Sequence, residues 1–255
     1  MAAQVASRNV VKKVLAQETP EGAGALVRRS IGTMGLRNLT PFLLLDHFHI
    51  SKGAGFPDHP HRGQATVTYM LEGSSKHEDS AGHAGTIKAG GVQWMSAGRG
   101  IIHAEMPIQD DDGPEPRGLQ LWVDLPKKFK MSEPSYQELD PDQIPTAYPE
   151  GPNGPVMIKV ISGKSYGVES PVRPLGGCWY FHVKFQKKGN AIFQPIPAGW
   201  TSFIYTLNGA IRIGTDPTPQ PQYHTLILSA KESEEGVAIT ATEDTTDFIL
   251  ASTAL

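Results

Sequence analysis

An all-β chain, built as a sandwich or barrel, is the fold class that the sequence predicts, and three observations carry it. Apolar and polar residues alternate in short runs. Glycine and proline, 27 and 21 of the 255 residues, punctuate those runs. No long stretch repeats its apolar residues at helical spacing. In chain order, "ATVTYML" (65–71), "GTIKAGGVQWMSA" (85–97), "IIHAEMPI" (101–108) and "GLQLWVDL" (118–125) read as one group of strands. A second group follows: "VMIKVISG" (156–163), "CWYFHVKF" (178–185), "AIFQPI" (191–196), "TSFIYTLNG" (201–209), "HTLILSA" (224–230) and "DFILAS" (247–252). Between them, residues 127–155 are rich in proline and acid and poor in periodicity, which predicts a connection with at most a short helical turn.

The two groups resemble each other. Setting Gly73 over Gly209 places "TVTYMLEG" on "SFIYTLNG", so that Tyr69 meets Tyr205 and Leu71 meets Leu207. Two related barrels are the expectation. Counted back without gaps, His59 and His61 fall opposite Pro195 and Pro197, so any site built on those histidines belongs to the first half alone.

Composition narrows the function. Hydrophobic residues make up 39% and charged residues 19%, enough for a sizeable core, and the formal net charge is −3. A groove held mainly by phosphate contacts needs a concentrated basic face, so direct nucleic-acid binding is not expected. Arg28-Arg29 and Lys127-Lys128 read as solvated surface charges. The lone Cys178 opens "CWYFHVKF" and reads as a small core residue, which fits a reducing compartment. No apolar run approaches a membrane span, and the N-terminus lacks a secretory h-region. A soluble chain of the cytoplasm or nucleus, with no membrane partner, is expected.

Chemistry concentrates in "GFPDHPHRGQ" (55–64). His59 and His61, at i and i+2 of an extended segment, point to the same side. Pro60 between them is compatible with a strand edge. A second pair, His103 and Glu105 in "GRGIIHAEMP", repeats the spacing. Three imidazoles and one carboxylate form an N₃O donor set that leaves an octahedral divalent ion two positions for substrate, water or dioxygen. His47 and His49 beside Asp46, and His77 and His83 around "KHEDSAGHAG", are competing candidates that composition alone does not exclude. "AGRG" (97–100) has no helix after it to make a phosphate cradle, and its glycines read as a tight turn into the second pair.

"FPDHPHRG", "YMLEGS", "HEDSAGHAG", "QWMSAGRGIIHAEMP" and "GLQLWVDL", with "VRRSIG" before them and "QPIPAGWTSFIYTLNGAIRIG" after, closely resemble the pirin family of bicupins across nearly all of the chain. The resemblance implies two tandem cupin (double-stranded β-helix, jelly-roll) barrels. These are a metal-bearing barrel in 1–134, a connection in 135–155, and a second barrel without a metal in 156–255. It implies metal ligation by His59, His61, His103 and Glu105, with Fe(2+) as cofactor or another divalent transition metal in its place. Two activities come with the family. One is a quercetin 2,3-dioxygenase reaction, in which dioxygen opens the central ring of a flavonol. The other is nuclear co-regulation, in which the iron's oxidation state alters binding to transcription factors and "VRRS" (27–30) is a candidate docking element. For the first, Glu105 is the expected catalytic base for the phenolic proton. Phe56, Met70, Trp94 and Met95 are candidate apolar walls, and Gln120 is a candidate hydrogen-bonding residue of the pocket. Two departures stand out: Ala65 occupies a place where many relatives carry Glu, and the chain stops at "FILASTAL", where relatives continue into a C-terminal tail.

Overall fold

A computed structural model describes residues 6–108, 113–152 and 154–254. Its contacts divide the chain into two units: one is Ala16–Ile144, and the other joins Pro145–Leu255 to the N-terminal segment through Leu15. That segment carries β1 (Val10–Leu15).

The first unit holds β2 (Gln17–Glu21), β3 (Ala25–Ile31), β4 (Phe42–His49), β5 (Phe56–His61), β6 (Gln64–Glu72) and β7 (Ser74–Asp79). It continues with β8 (Ala84–Lys88), β9 (Val92–Ser96), β10 (Ile101–Ile108), β11 (Arg117–Asp124), a 3-10 turn at Lys127–Phe129 and β12 (Ser135–Leu139). The second unit adds β13 (Thr146–Ala147), β14 (Val156–Ser162), the hairpin β15 (Lys164–Ser165) and β16 (Val168–Glu169), β17 (Trp179–Phe185) and β18 (Ala191–Pro195). It closes with β19 (Thr201–Asn208), β20 (Ala210–Ile213), β21 (Gln220–Pro221), β22 (His224–Leu228), β23 (Gly236–Ala241) and β24 (Thr246–Thr253).

Each unit is a jelly roll of a seven-stranded and a four-stranded sheet. The first unit's orders are β12-β9-β6-β11-β4-β3-β2 and β5-β10-β7-β8. The second's are β1-β22-β19-β24-β17-β14-β13 and β18-β23-β20-β21. Strand for strand the two lists correspond, so the expected tandem cupin architecture is present.

The boundaries differ from those expected. β1 lies against β22 from Val10↔Leu228 to Leu15↔His224, and takes in the second unit the edge place that β12 takes in the first. The N-terminal strand therefore completes the second barrel, and the expected 1–134 assignment places it in the wrong one. Residues 135–139, expected within a connection, pair with β9 instead. An exposed strand edge leaves a row of backbone donors and acceptors to be matched, and in each unit a segment from outside the repeated strands supplies the partner. Arg8 fixes the entry to β1. It is fully buried, and its guanidinium donates to the carbonyls of Trp200 (2.6 Å) and Pro197 (2.7 Å) and to Ser202 Oγ (3.1 Å).

The two interiors differ in chemistry. Inside the second unit Ile192, Ile196, Val237, Ile239 and Ala241 belong to one aliphatic cluster. The Gly73–Gly209 alignment sets Ile239 and Ala241 opposite His103 and Glu105, so packed hydrocarbon occupies the places where the first unit carries donors. Cys178 is buried as expected, and burial pushes its thiol pKa up. The "AGRG" turn also behaves as expected. Gly98 has φ +50°, and a Cβ there would stand 2.1 Å from Ser132 O, so this close approach admits only glycine. β10 starts directly after it. Among the described residues no helix is long and apolar enough to cross a membrane.

Candidate metal centre

Register brings the histidines together. β5 and β10 are neighbours in the four-stranded sheet, and His59 and His103 are direct cross-strand partners. Side chains of such partners stand on one face only a few ångströms apart. His61, two residues further along β5, shares that face. The ring centroids of His59 and His103 are 4.6 Å apart, and His61 lies 4.9 Å from each. One ring nitrogen from each of the three falls within 4.8 Å of the other two. β5 tolerates Pro57 and Pro60 because it is the edge strand of its sheet, with one side unpaired.

The hydrogen bonds fix the state of the rings. His59 Nδ1 is 2.8 Å from Pro57 O; a carbonyl only accepts, so Nδ1 donates there and Nε2 is the ring nitrogen left to face inward. His59 Nε2 is 3.1 Å from His103 Nε2. His61 Nδ1 meets the side-chain amide of Gln64 at 3.0 Å, and its Nε2 is buried with no partner. An unpartnered buried nitrogen costs stability unless something fills its lone pair. Burial lowers the pKa of His61 to about 3, with repulsion from His103 and His59 adding to it, and burial also lowers that of His103. Three imidazoles converging on one point, two of them held towards the neutral form by burial, are a donor set that fits a divalent transition ion.

A pH dependence follows. His61 stays neutral in the folded metal-free chain, while in the unfolded chain it protonates below its ordinary pKa of 6.5. Unfolding therefore takes up a proton below pH 6.5. Stability contributed by the neutral ring is present above that value and falls as pH drops towards 3, with a slope approaching ~1.4 kcal/mol per pH unit for this group alone. Denaturant unfolding of metal-free protein across that window is expected to show the decline, and a flat profile would contradict it.

Glu105 stands beside the imidazoles, with Oε2 3.9 Å from His103 Nε2. Its side chain is almost fully buried, and each oxygen takes a hydrogen bond: Thr68 Oγ1 donates to Oε1 (2.7 Å) and Gln120 Nε2 donates to Oε2 (2.9 Å). Thr68 and Gln120 are themselves cross-strand partners on β6 and β11. The carboxylate is thereby held in one orientation over the seven-stranded sheet. Ala65 alternates with Gln64 and Thr66, so its side chain lies on the opposite face; Gln64 and Thr68 supply polar contacts around the site in its place.

A cavity of about 480 Å³ opens onto the centre, with His59, His61, Glu105 and Gln120 in its wall. Val27, Leu44, Phe48, Phe56 and Trp122 supply apolar surface, and Glu21, Arg29, Asp46 and Asp58 supply charge. Of the expected pocket residues, Phe56 and Gln120 line it. Met70 and Trp94 do not. Met70 is fully buried in the cluster of Phe48, Val27 and Ile87. Trp94 alternates with Gln93 on β9 and is buried on the other face of the sheet. Met95 packs with Ala97 and Ile101, also away from the cavity.

The competing histidines lie elsewhere. His49 pairs with Glu115, His77 with Glu138, and His83 stacks on Tyr136 at 4.6 Å. Asp46 is engaged by Arg29. Arg29 is therefore not the solvated charge expected of it; its side chain is 18% exposed and turned into the barrel. Trp122, Thr68 and the Arg29–Asp46 pair were not expected at the site. Alternation along β6 and β11 puts Thr68 and Gln120 on one face of the seven-stranded sheet, but that this face meets the imidazoles depends on how the two sheets pack, which leaves no local sequence signal.

Comparison with known proteins bears on the same residues. The pirin-like protein of Solanum lycopersicum is 50% identical over 227 residues, covering 88% of this chain and 75% of the relative. The chain belongs to the pirin family. The sequence profile of the family, described as pirin, matches residues 24–123, which include His59, His61, His103 and Glu105. Pirin of Homo sapiens is 48% identical over 230 residues, covering 89% of this chain and 77% of that one. Among solved structures, a quercetin 2,3-dioxygenase from Acinetobacter baumannii superimposes with a TM-score of 0.87 at 29% identity, over 97% of this chain and 87% of the other. The pirin fold thus presents here a three-histidine cluster suited to a metal, beside a largely apolar cavity.

Proposed function

We propose that this pirin is an iron-dependent dioxygenase that opens the central ring of a flavonol such as quercetin. The observation that carries it is the buried, unpartnered His61 Nε2, which converges with His59 and His103 at an apolar-sided cavity whose wall includes His59 and His61. The structural likeness to the Acinetobacter enzyme supports the choice of substrate class.

In this reading His59, His61, His103 and Glu105 hold Fe(2+), which supplies a Lewis acid for the substrate oxygens and a redox partner for dioxygen. The remaining work falls to the chain. Phe48, Phe56 and Trp122 enclose the planar rings and exclude water from the reacting face. Glu105, a carboxylate beside the imidazoles, accepts the phenolic proton, and Thr68 and Gln120 hold it in place for that transfer. The lone buried Cys178 fits a reducing compartment, cytoplasm or nucleus.

The test is anaerobic loading with Fe(2+), nickel or zinc, followed by oxygen uptake with quercetin. Uptake by the iron form is expected. Iron-loaded, folded protein that consumes no oxygen with any flavonol overturns the reading.

The family's other activity, redox-dependent binding to transcription factors, has less support at its candidate docking element. In 27–30, Arg29 turns inward to Asp46 and Arg28 pairs with Glu18 at 3.1 Å.

A further inference from the structure

The cavity has a second polar pole that neither the metal centre nor the proton transfer uses. One row of direct cross-strand partners crosses the seven-stranded sheet: Arg29 on β3, Asp46 on β4, Gln120 on β11 and Thr68 on β6. Glu105 sits over the Thr68–Gln120 end. Arg29 lies two strands from Gln120, roughly 10 Å at ordinary strand spacing. Its Nε donates to Asp46 Oδ1 (2.8 Å), and its Nη2 donates to Asp46 Oδ2 (2.6 Å) and Glu21 Oε2 (2.6 Å). Among the described residues no bond engages Nη1. Arg29, Asp46 and Glu21 all line the cavity.

We infer that Arg29 is a specificity-determining residue, whose Nη1 donates to a neutral oxygen on the end of the ligand remote from the imidazoles, while Asp46 and Glu21 repel anionic groups there. The inference rests on the flavonol reading. A guanidinium clamped by a bidentate carboxylate is rigid, so little freedom is lost when its remaining N–H groups meet a ligand. One cation beside two carboxylates leaves a net charge of −1. A hydroxyl is welcome at this pole, and a sulfate or carboxylate is not. The ligand class is then a planar, mostly apolar molecule, with chelating oxygens at one end and an uncharged hydroxyl at the other.

The test measures binding without turnover. Iron-loaded protein is titrated anaerobically with quercetin, with 3-hydroxyflavone, which keeps the chelating end and lacks the remote hydroxyls, and with quercetin sulfated on the remote ring. Quenching of tryptophan emission, to which Trp122 contributes, reports Kd. Wild type is expected to prefer quercetin over 3-hydroxyflavone by about tenfold, the scale of one charge-assisted hydrogen bond. The double variant Arg29→Met/Asp46→Leu removes the pair without stranding Asp46, and is expected to lose that preference while keeping its affinity for 3-hydroxyflavone. Glu21→Gln, at a side chain 40% exposed, is expected to bind the sulfated probe several-fold more tightly than wild type does. A preference that survives the double variant, or equal weakening of both neutral probes, overturns the assignment. If the double variant does not fold, an unchanged response of Glu21→Gln to the sulfated probe does so. Equal wild-type affinity for the two neutral probes overturns this inference alone; binding of neither overturns the flavonol reading with it.

Discussion

Replacing His103 with alanine is expected to weaken metal binding by more than about 100-fold, beyond the 10–100-fold that loss of a mere supporting contact causes. His103 is 1% exposed, and its Nε2 faces His59 across the β5–β10 ladder. Its removal leaves two imidazoles, both on β5, and only the Glu105 carboxylate from the neighbouring strand. The fold should persist, because the change also relieves crowding among three closely set rings, two of them buried. Competition with a graded chelator, followed by metal analysis, checks the affinity, and circular dichroism checks the fold. Wild-type affinity in a folded His103→Ala protein would remove His103 from the centre.

Glu105→Gln is expected to lower kcat by roughly 10²–10⁴, the range for loss of a general base, with the iron retained better than in His103→Ala. The new amide cannot take up a proton. It also turns an NH₂ group towards either Thr68 Oγ1 or Gln120 Nε2, both of which donate to the carboxylate. Thr68→Val serves as the control for positioning: it removes one donor and leaves the base, so its effect should be about tenfold, the worth of one hydrogen bond. Oxygen-uptake kinetics of matched iron-loaded proteins provide the comparison. Equal losses in the two variants would mean that Glu105 acts by holding the site in shape.

That His59 and His61 converge was legible because their spacing is local: i and i+2 on one strand share a face whatever the strand pairs with. The strand content and the duplication were legible for the same reason, as alternation and turn residues leave their mark within ten residues. What stayed hidden depends on pairing between distant segments. Arg29, Asp46, Gln120 and Thr68 form a row only because of the register of four strands. Arg29 therefore read as a surface charge and Asp46 as a neighbour of stray histidines. The exchange of β1 into the second barrel is likewise invisible in a run of six residues whose only message is "extended". Met70 and Trp94 failed as wall residues because alternation says which residues share a face, and not whether that face meets a cavity, a packed cluster or the far side of the sheet.

The most direct test of the centre is X-ray absorption or anomalous diffraction from the iron-loaded protein. One metal ion per chain is predicted, bound by ring nitrogens of His59, His61 and His103 with the Glu105 carboxylate beside it. Iron bound to other residues, or imidazoles of 59, 61 and 103 without a shared ion in metal-saturated protein, would contradict it.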